Sequence, residues 1–191
     1  MIAGIVLAAG AGRRFGSPKQ LADLDGVPLL QHAVDAMLAV PALDRVVVVL
    51  GAAAEQIGAA VRFASAEPIV CAGWEEGMSA SLREGVDELY SADWVIVTLG
   101  DMPGVTPEAI EAVVAAIEAD PAAEAVRAAY GGRPGHPVAL SRALLGRVGE
   151  LRGDVGAREL LRDAKVRDVE AGHLARPDDV DTPEELEAIR P

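Results

Sequence analysis

Three short apolar runs, Ile2 to Ala9, Arg45 to Leu50 and Trp94 to Leu99, each close on a glycine and alternate with segments of helical spacing. That alternation limits the fold more than any other feature. A continuous apolar run rich in β-branched residues suits a strand covered on both faces. Strands that alternate with helices build an open, mostly parallel sheet. The expected fold is therefore α/β, one Rossmann-like sheet flanked by helices, with residues 1–191 forming a single domain. Apolar residues make up 51% of the chain, enough for such a core.

The helical spacing predicts helices over Val27 to Val40, Ala54 to Phe63, Met78 to Leu89 and Pro107 to Ala119. Thr106 precedes Pro107 and Thr182 precedes Pro183, the pattern of an N-cap followed by proline in the first turn. A helix over Pro183 to Ile189 is expected on the same ground. Further strands are expected at Pro68 to Cys71, Ala125 to Tyr130, Val138 to Leu140 and Val166 to Val169. Gly131 to Gly135 reads as a turn-rich link, and Ala143 to Val148 and Ala157 to Ala164 read as helices.

Charge narrows the partners. With 17 basic and 30 acidic residues the formal net charge is −13. Such a chain repels nucleic acid and anionic membranes. An anionic ligand then needs local basic groups or a metal ion. The single cysteine, Cys71, rules out an intrachain disulfide and fits a reducing compartment, so a cytoplasmic location is expected. The first apolar run lacks a basic stretch before it and reads as a strand rather than a leader. No run reaches the length of a membrane span.

In open α/β sheets ligands gather at the carboxyl ends of strands. Two such ends carry chemistry. The first is Leu7-Ala8-Ala9-Gly10-Ala11-Gly12-Arg13-Arg14-Phe15-Gly16-Ser17-Pro18-Lys19. Its glycines do not match the dinucleotide fingerprint, because Phe15 stands where the third glycine belongs, and Lys19 is misplaced for a P-loop. A glycine-rich loop after a strand still lets backbone N–H groups approach phosphates, with Arg13 and Lys19 supplying charge. The bland alternative is a solvated basic loop. The second end is Gly100-Asp101-Met102-Pro103, where a carboxylate can hold Mg²⁺ against phosphates or simply form a turn.

Asp181 caps the last helix, lies in a solvated acidic run, or joins such a site. Ser79 and Ser81 open a helix and either cap it or meet a phosphate. The histidines show no metal-ligand spacing with Cys71, and no serine sits in a nucleophile elbow.

Taken in order, these stretches resemble the MobA-like nucleotidyltransferases, most closely the branch of molybdenum cofactor cytidylyltransferases. The resemblance rests on Leu7-Ala8-Ala9-Gly10 through Lys19, Gly77-Met78-Ser79-Ala80-Ser81-Leu82, Gly100-Asp101-Met102-Pro103, Gly135-His136-Pro137, Gly153-Asp154-Val155-Gly156-Ala157-Arg158 and Asp179-Val180-Asp181-Thr182-Pro183. It covers nearly the whole chain and implies the fold of the nucleotide-diphospho-sugar transferases.

The resemblance further implies transfer of CMP from CTP to the phosphate of molybdopterin, with Mg²⁺. Leu7, Ala8 and Ala9 would lie near the base, and Gly10, Gly12, Arg13, Lys19, Ser79 and Ser81 would hold the nucleotide. Lys19, Arg13 and Asp101 would carry catalysis. Asp101 and Asp181 would hold the metal, and His136, Asp154 and Arg158 would meet the acceptor. Ala9, where the guanylyl-transferring relatives carry glycine, points to a pyrimidine. A transient contact with a molybdoenzyme or its chaperone follows from the same likeness. Transfer from GTP, a different phosphorylated acceptor, and a module that binds and delivers the cofactor without turnover all remain compatible with the residues.

Overall fold

In a computed structural model that describes residues 1–190, the chain forms one seven-stranded sheet with helices on both faces. The strands of that sheet are β1 (Ile2–Ala8), β4 (Arg45–Leu50), β5 (Glu67–Val70), β6 (Trp94–Leu99), β7 (Ala125–Tyr130), β8 (Arg133–Ser141) and β9 (Val166–Glu170). A separate two-stranded hairpin joins β2 (Asp23–Leu24) to β3 (Val27–Pro28). The helices are α1 (Leu29–Leu38), α2 (Ala54–Ala60), α3 (Met78–Glu88), α4 (Pro107–Ala119), α5 (Arg142–Leu145) and α6 (Pro183–Ile189).

The strand order is β5-β4-β1-β6-β8-β7-β9. Pairing is parallel except along β8, which runs antiparallel to both β6 and β7. β1 is central, and its side chains divide between two apolar layers. Val6 and Ala8 pack under α1, α2 and α4. Ala3, Ile5 and Leu7 pack under α3, α5 and a 3-10 segment at Ala157–Arg162. This two-sided cover explains why β1, β4 and β6 read as unbroken apolar runs.

Thr106 and Thr182 do cap their helices: each hydroxyl accepts from the N–H three residues on, and Glu185 completes a capping box at α6. Several boundaries differ from expectation for local reasons. Val27 and Pro28 belong to the hairpin rather than to α1, because the Asp25-Gly26 turn, with both φ angles positive, folds them back on Asp23 and Leu24. α2 stops at Ala60, where the β-branched Val61 goes extended. Of the expected link at 131–135, only Gly131-Gly132 is a turn, and β8 begins at Arg133. The segment expected as a helix over 157–164 is 3-10. Among the described residues no helix is long and apolar enough to cross a membrane.

Candidate active site

β1 and β6 end side by side, on opposite sides of the point from which the chain winds outward to β4 and β5 in one direction and β8 in the other. Such a switch point leaves a crevice beyond the strand ends. Here it is a cavity of about 640 Å³, lined by residues 7–14, Lys19, Gln20, the 74–78 turn, Ser81, the end of β6 at Asp101, and Asp154, Asp179 and Asp181.

The loop after β1 is built with its acceptors used and its donors free. Gln20, 3% exposed, donates through Nε2 to the carbonyls of Ala8 at 2.9 Å and Gly10 at 2.8 Å. The Ala9 carbonyl accepts from Ala52 at 3.2 Å, and Gly12 accepts from Phe15 and Gly16. No backbone hydrogen bond within the described protein takes up the N–H groups of residues 10–14. A row of free N–H groups is a receptor for an anion. Gly12 makes the tight fold possible: its φ is +61°, and a Cβ there would lie 2.6 Å from the Ser17 carbonyl oxygen.

Opposite the loop stand the two carboxylates. The Val180 N–H donates to the Asp101 carbonyl at 2.9 Å, and Val180 is fully buried with Leu24, Leu29 and Leu186. That tie brings the C-terminal segment against β6. Glu185 fixes it further by accepting from the Asp181 N–H at 2.7 Å. The Lys19 ammonium lies between the two side chains, 2.5 Å from Asp101 Oδ2 and 2.7 Å from Asp181 Oδ1. Arg14 reaches the other oxygen of Asp181 at 2.6 Å. Burial draws the Lys19 pKa down, but the charges and hydrogen bonds of Asp101 and Asp181 outweigh it and hold the ammonium above its ordinary value. The Lys19 hydrogen bond, ahead of Arg14, holds Asp181 below the usual carboxylate range.

Asp101 Oδ1 is buried and has no hydrogen-bond partner. An orphaned carboxylate oxygen is costly in a protein interior and fits a hard cation. No group of three or more His, Cys, Asp or Glu side chains is assembled among the described residues. A divalent ion here would take oxygens from Asp101 and Asp181, with phosphate and water completing its shell, the usual habit of Mg²⁺.

Leu7, Ala8, Ala9, Gly10, Gly12, Arg13, Lys19, Ser81, Asp101, Asp154 and Asp181 all line the cavity. Three expected residues stand apart from it. Ser79 is fully buried, and its hydroxyl accepts from Arg83 at 3.4 Å. Arg158 is exposed on the 157–162 segment. His136 lies on β8 beside β6, with Nδ1 3.1 Å from the Val97 carbonyl; a carbonyl only accepts, so Nδ1 carries the proton. Burial pushes its pKa below the ordinary histidine value, against the Val97 hydrogen bond and the charges of Asp101 and Asp179. Asp154 faces the first turn of α3, its Oδ1 3.4 Å from the Met78 N–H. Gln20, Arg14 and Glu185 were not singled out from the sequence. Their signal was adjacency alone: Gln20 follows Lys19, Arg14 follows Arg13, and Glu185 occupies the third position of a capped helix.

The chain is 30% identical to nicotine blue oxidoreductase of Paenarthrobacter nicotinovorans, over 97% of this chain and 94% of that protein. It is 32% identical to purine catabolism protein PucB of Bacillus subtilis, over 98% and 95% respectively. A crystal structure of Rv0371c from Mycobacterium tuberculosis in complex with manganese superposes with a TM-score of 0.82 at 28% identity, covering 98% of this chain and 97% of that one. The model of the MobA-like NTP transferase domain matches residues 4–170. The chain belongs to the MobA-like NTP transferase family and is an enzyme of the nucleotidyltransferase class.

Proposed function

We propose that the protein transfers CMP from CTP to the terminal phosphate of molybdopterin, giving molybdopterin cytosine dinucleotide and pyrophosphate. One observation carries the reading: Asp101 and Asp181 flank a single cation seat that faces a loop with its N–H groups unclaimed. Cation-binding carboxylates opposite an anion receptor are what an α-phosphate needs on its two sides. The acceptor and the base follow from the motif resemblance, in particular Ala9 and the Gly135-His136-Pro137 and Gly153-Asp154 stretches.

In this reading the triphosphate lies along residues 10–14, with the base against Leu7, Ala8 and Ala9. Asp101 and Asp181 hold Mg²⁺, which supplies charge neutralisation at the phosphates. Arg13, exposed at the cavity rim, meets the outer phosphates. A phosphate oxygen of the acceptor attacks the α-phosphorus as the bond to the bridging oxygen of the β-phosphate breaks, and pyrophosphate carries that electron pair away. The nucleophile is already ionised, so no general base is required. Catalysis is positioning plus charge stabilisation. His136, on β8, ties that strand to β6 through the Val97 carbonyl and so positions the strand that leads to Asp101. A cytoplasmic setting and a passing contact with a molybdoenzyme or its chaperone belong to the same proposal.

Incubation with CTP, Mg²⁺ and molybdenum-loaded molybdopterin tests it. The expected products are pyrophosphate and a cytosine dinucleotide in equal amounts, both absent when the acceptor is omitted. Binding of the acceptor with no pyrophosphate would instead support a delivery module.

A further inference from the structure

We propose that Lys19 is an exchangeable counter-ion that blocks the carboxylate pair until a nucleotide arrives, so that the divalent cation is admitted only together with the triphosphate. The inference rests on the reading of Asp101 and Asp181 as metal ligands. Its observations concern Lys19 itself. The ammonium lies within 2.5 and 2.7 Å of one oxygen from each carboxylate, the place a bridging cation takes. The side chain is only 12% exposed, so water does little to screen the contact.

The same side chain has a second anionic destination. Its stem runs beside the loop: a Cβ on Gly12 would lie 3.6 Å from Lys19 Cγ. Rotation about the outer bonds of a flexible lysine stem swings the ammonium without moving the backbone. A phosphate seated on the free N–H groups of residues 10–14 lies on the loop that this stem already touches. Arg14, the other cation on Asp181, has a side chain 73% exposed and leaves at small cost.

Charge sets the order. With Lys19 and Arg14 in place the two carboxylates are already neutralised, and a divalent ion added alone meets two cations at close range. A bound triphosphate removes that opposition by offering both cations a new partner. Two ligands that each favour the same rearrangement bind with positive coupling, typically about 5–150-fold. Lys19 therefore acts twice, first guarding the carboxylates and then holding phosphate.

Mn²⁺ binding to the free protein, followed by the loss of its electron paramagnetic resonance signal, tests this without turnover. Wild-type protein is expected to bind Mn²⁺ weakly, and Lys19→Met at least about tenfold more tightly. Lys19→Arg, which keeps a cation on the pair, is expected to stay near wild type. An affinity of Lys19→Met equal to or below wild type overturns the proposal. Should Lys19→Met fail to fold, Lys19→Gln, which also removes the charge, takes its place in the same titration: tighter Mn²⁺ binding than wild type supports the exchange, and equal or weaker binding overturns it. Absence of Mn²⁺ binding in every case removes the metal role of the carboxylates as well, which separates the failure of this proposal from that of the reading beneath it.

Discussion

Lys19 and Asp101 lie 82 positions apart, and Lys19 and Asp181 lie 162 apart, yet one ammonium joins all three. Lys19 and Asp101 were legible as a basic and an acidic group in loops that follow strands, whereas Asp181 read equally as a helix cap, part of a solvated acidic run or a site member. Their union was not, because it depends on the Val180 hydrogen bond to Asp101 and on burial of Val180, which no local spacing encodes. The orphaned Asp101 oxygen marks the most sensitive position. Replacing Asp101 with asparagine, or Lys19 with alanine, is expected to lower kcat/KM for pyrophosphate release by roughly 10²–10³, the usual loss on removing a preorganised charge partner. Glu170 offers a prediction away from the site. Its carboxylate accepts from the N–H groups of Gly131, Gly132 and Gly172, which holds its pKa below the ordinary glutamate value of 4.5. Its stabilising effect is thus full above that value and fades as pH falls through the lower, folded one. Denaturant unfolding should find Glu170→Gln less stable than wild type at neutral pH, with the gap closing in acid. A gap that persists unchanged at low pH would assign the effect to packing.

At the scale of elements, the caps were the clearest part of the sequence. Thr-Pro at 106–107 and 182–183 set the starts of α4 and α6, and both hydroxyls cap as expected. The hairpin at 23–28 was missed although Asp25-Gly26 announces it, because two residues on each side are too few to show alternation. The 3-10 segment over 157–162 carries the apolar spacing of a helix, burying Ala157, Leu160 and Leu161, but winds more tightly. The α6 cap matters because it begins next to Asp181. Thr182→Ala should reduce stability by about 1 kcal/mol, read from urea unfolding. Glu185→Ala should cost activity beyond any loss in Thr182→Ala, since Glu185 also holds the Asp181 N–H at 2.7 Å. Equal activity in the two variants would show that the backbone tie at Asp181 is dispensable.

For the whole molecule, the alternation of apolar runs and helices implied the sheet, and the two-layer cover of β1 accounts for it. What the alternation did not reveal is how the later segments return to the earlier ones. Gly77 is where they meet: a Cβ there would fall 2.5 Å from the Gly153 carbonyl carbon and 2.7 Å from the Asp154 nitrogen. Two stretches read as separate motifs are one packed corner beside the cavity. Gly77→Ala should therefore destabilise the fold by about 1–3 kcal/mol, through overpacking and through a Cβ at a φ of +106°, seen as a lowered Tm. An unchanged Tm would contradict both the close packing and the backbone strain at this corner. On a molecule of net charge −13, the basic groups and free N–H donors of the first loop form a local receptor for a small anion, while the overall charge disfavours longer anionic polymers.

Nucleotidyl transfer from CTP at the Asp101 and Asp181 pair can be read directly from its products. Pyrophosphate release with Mg²⁺ and molybdenum-loaded molybdopterin, compared across CTP, GTP, ATP and UTP in wild type and Asp101→Asn, tests it most directly. Release with CTP in preference to the other three is expected, with near-complete loss in the variant. Release of equal rate in Asp101→Asn, or no release with any nucleotide from folded protein, would contradict it.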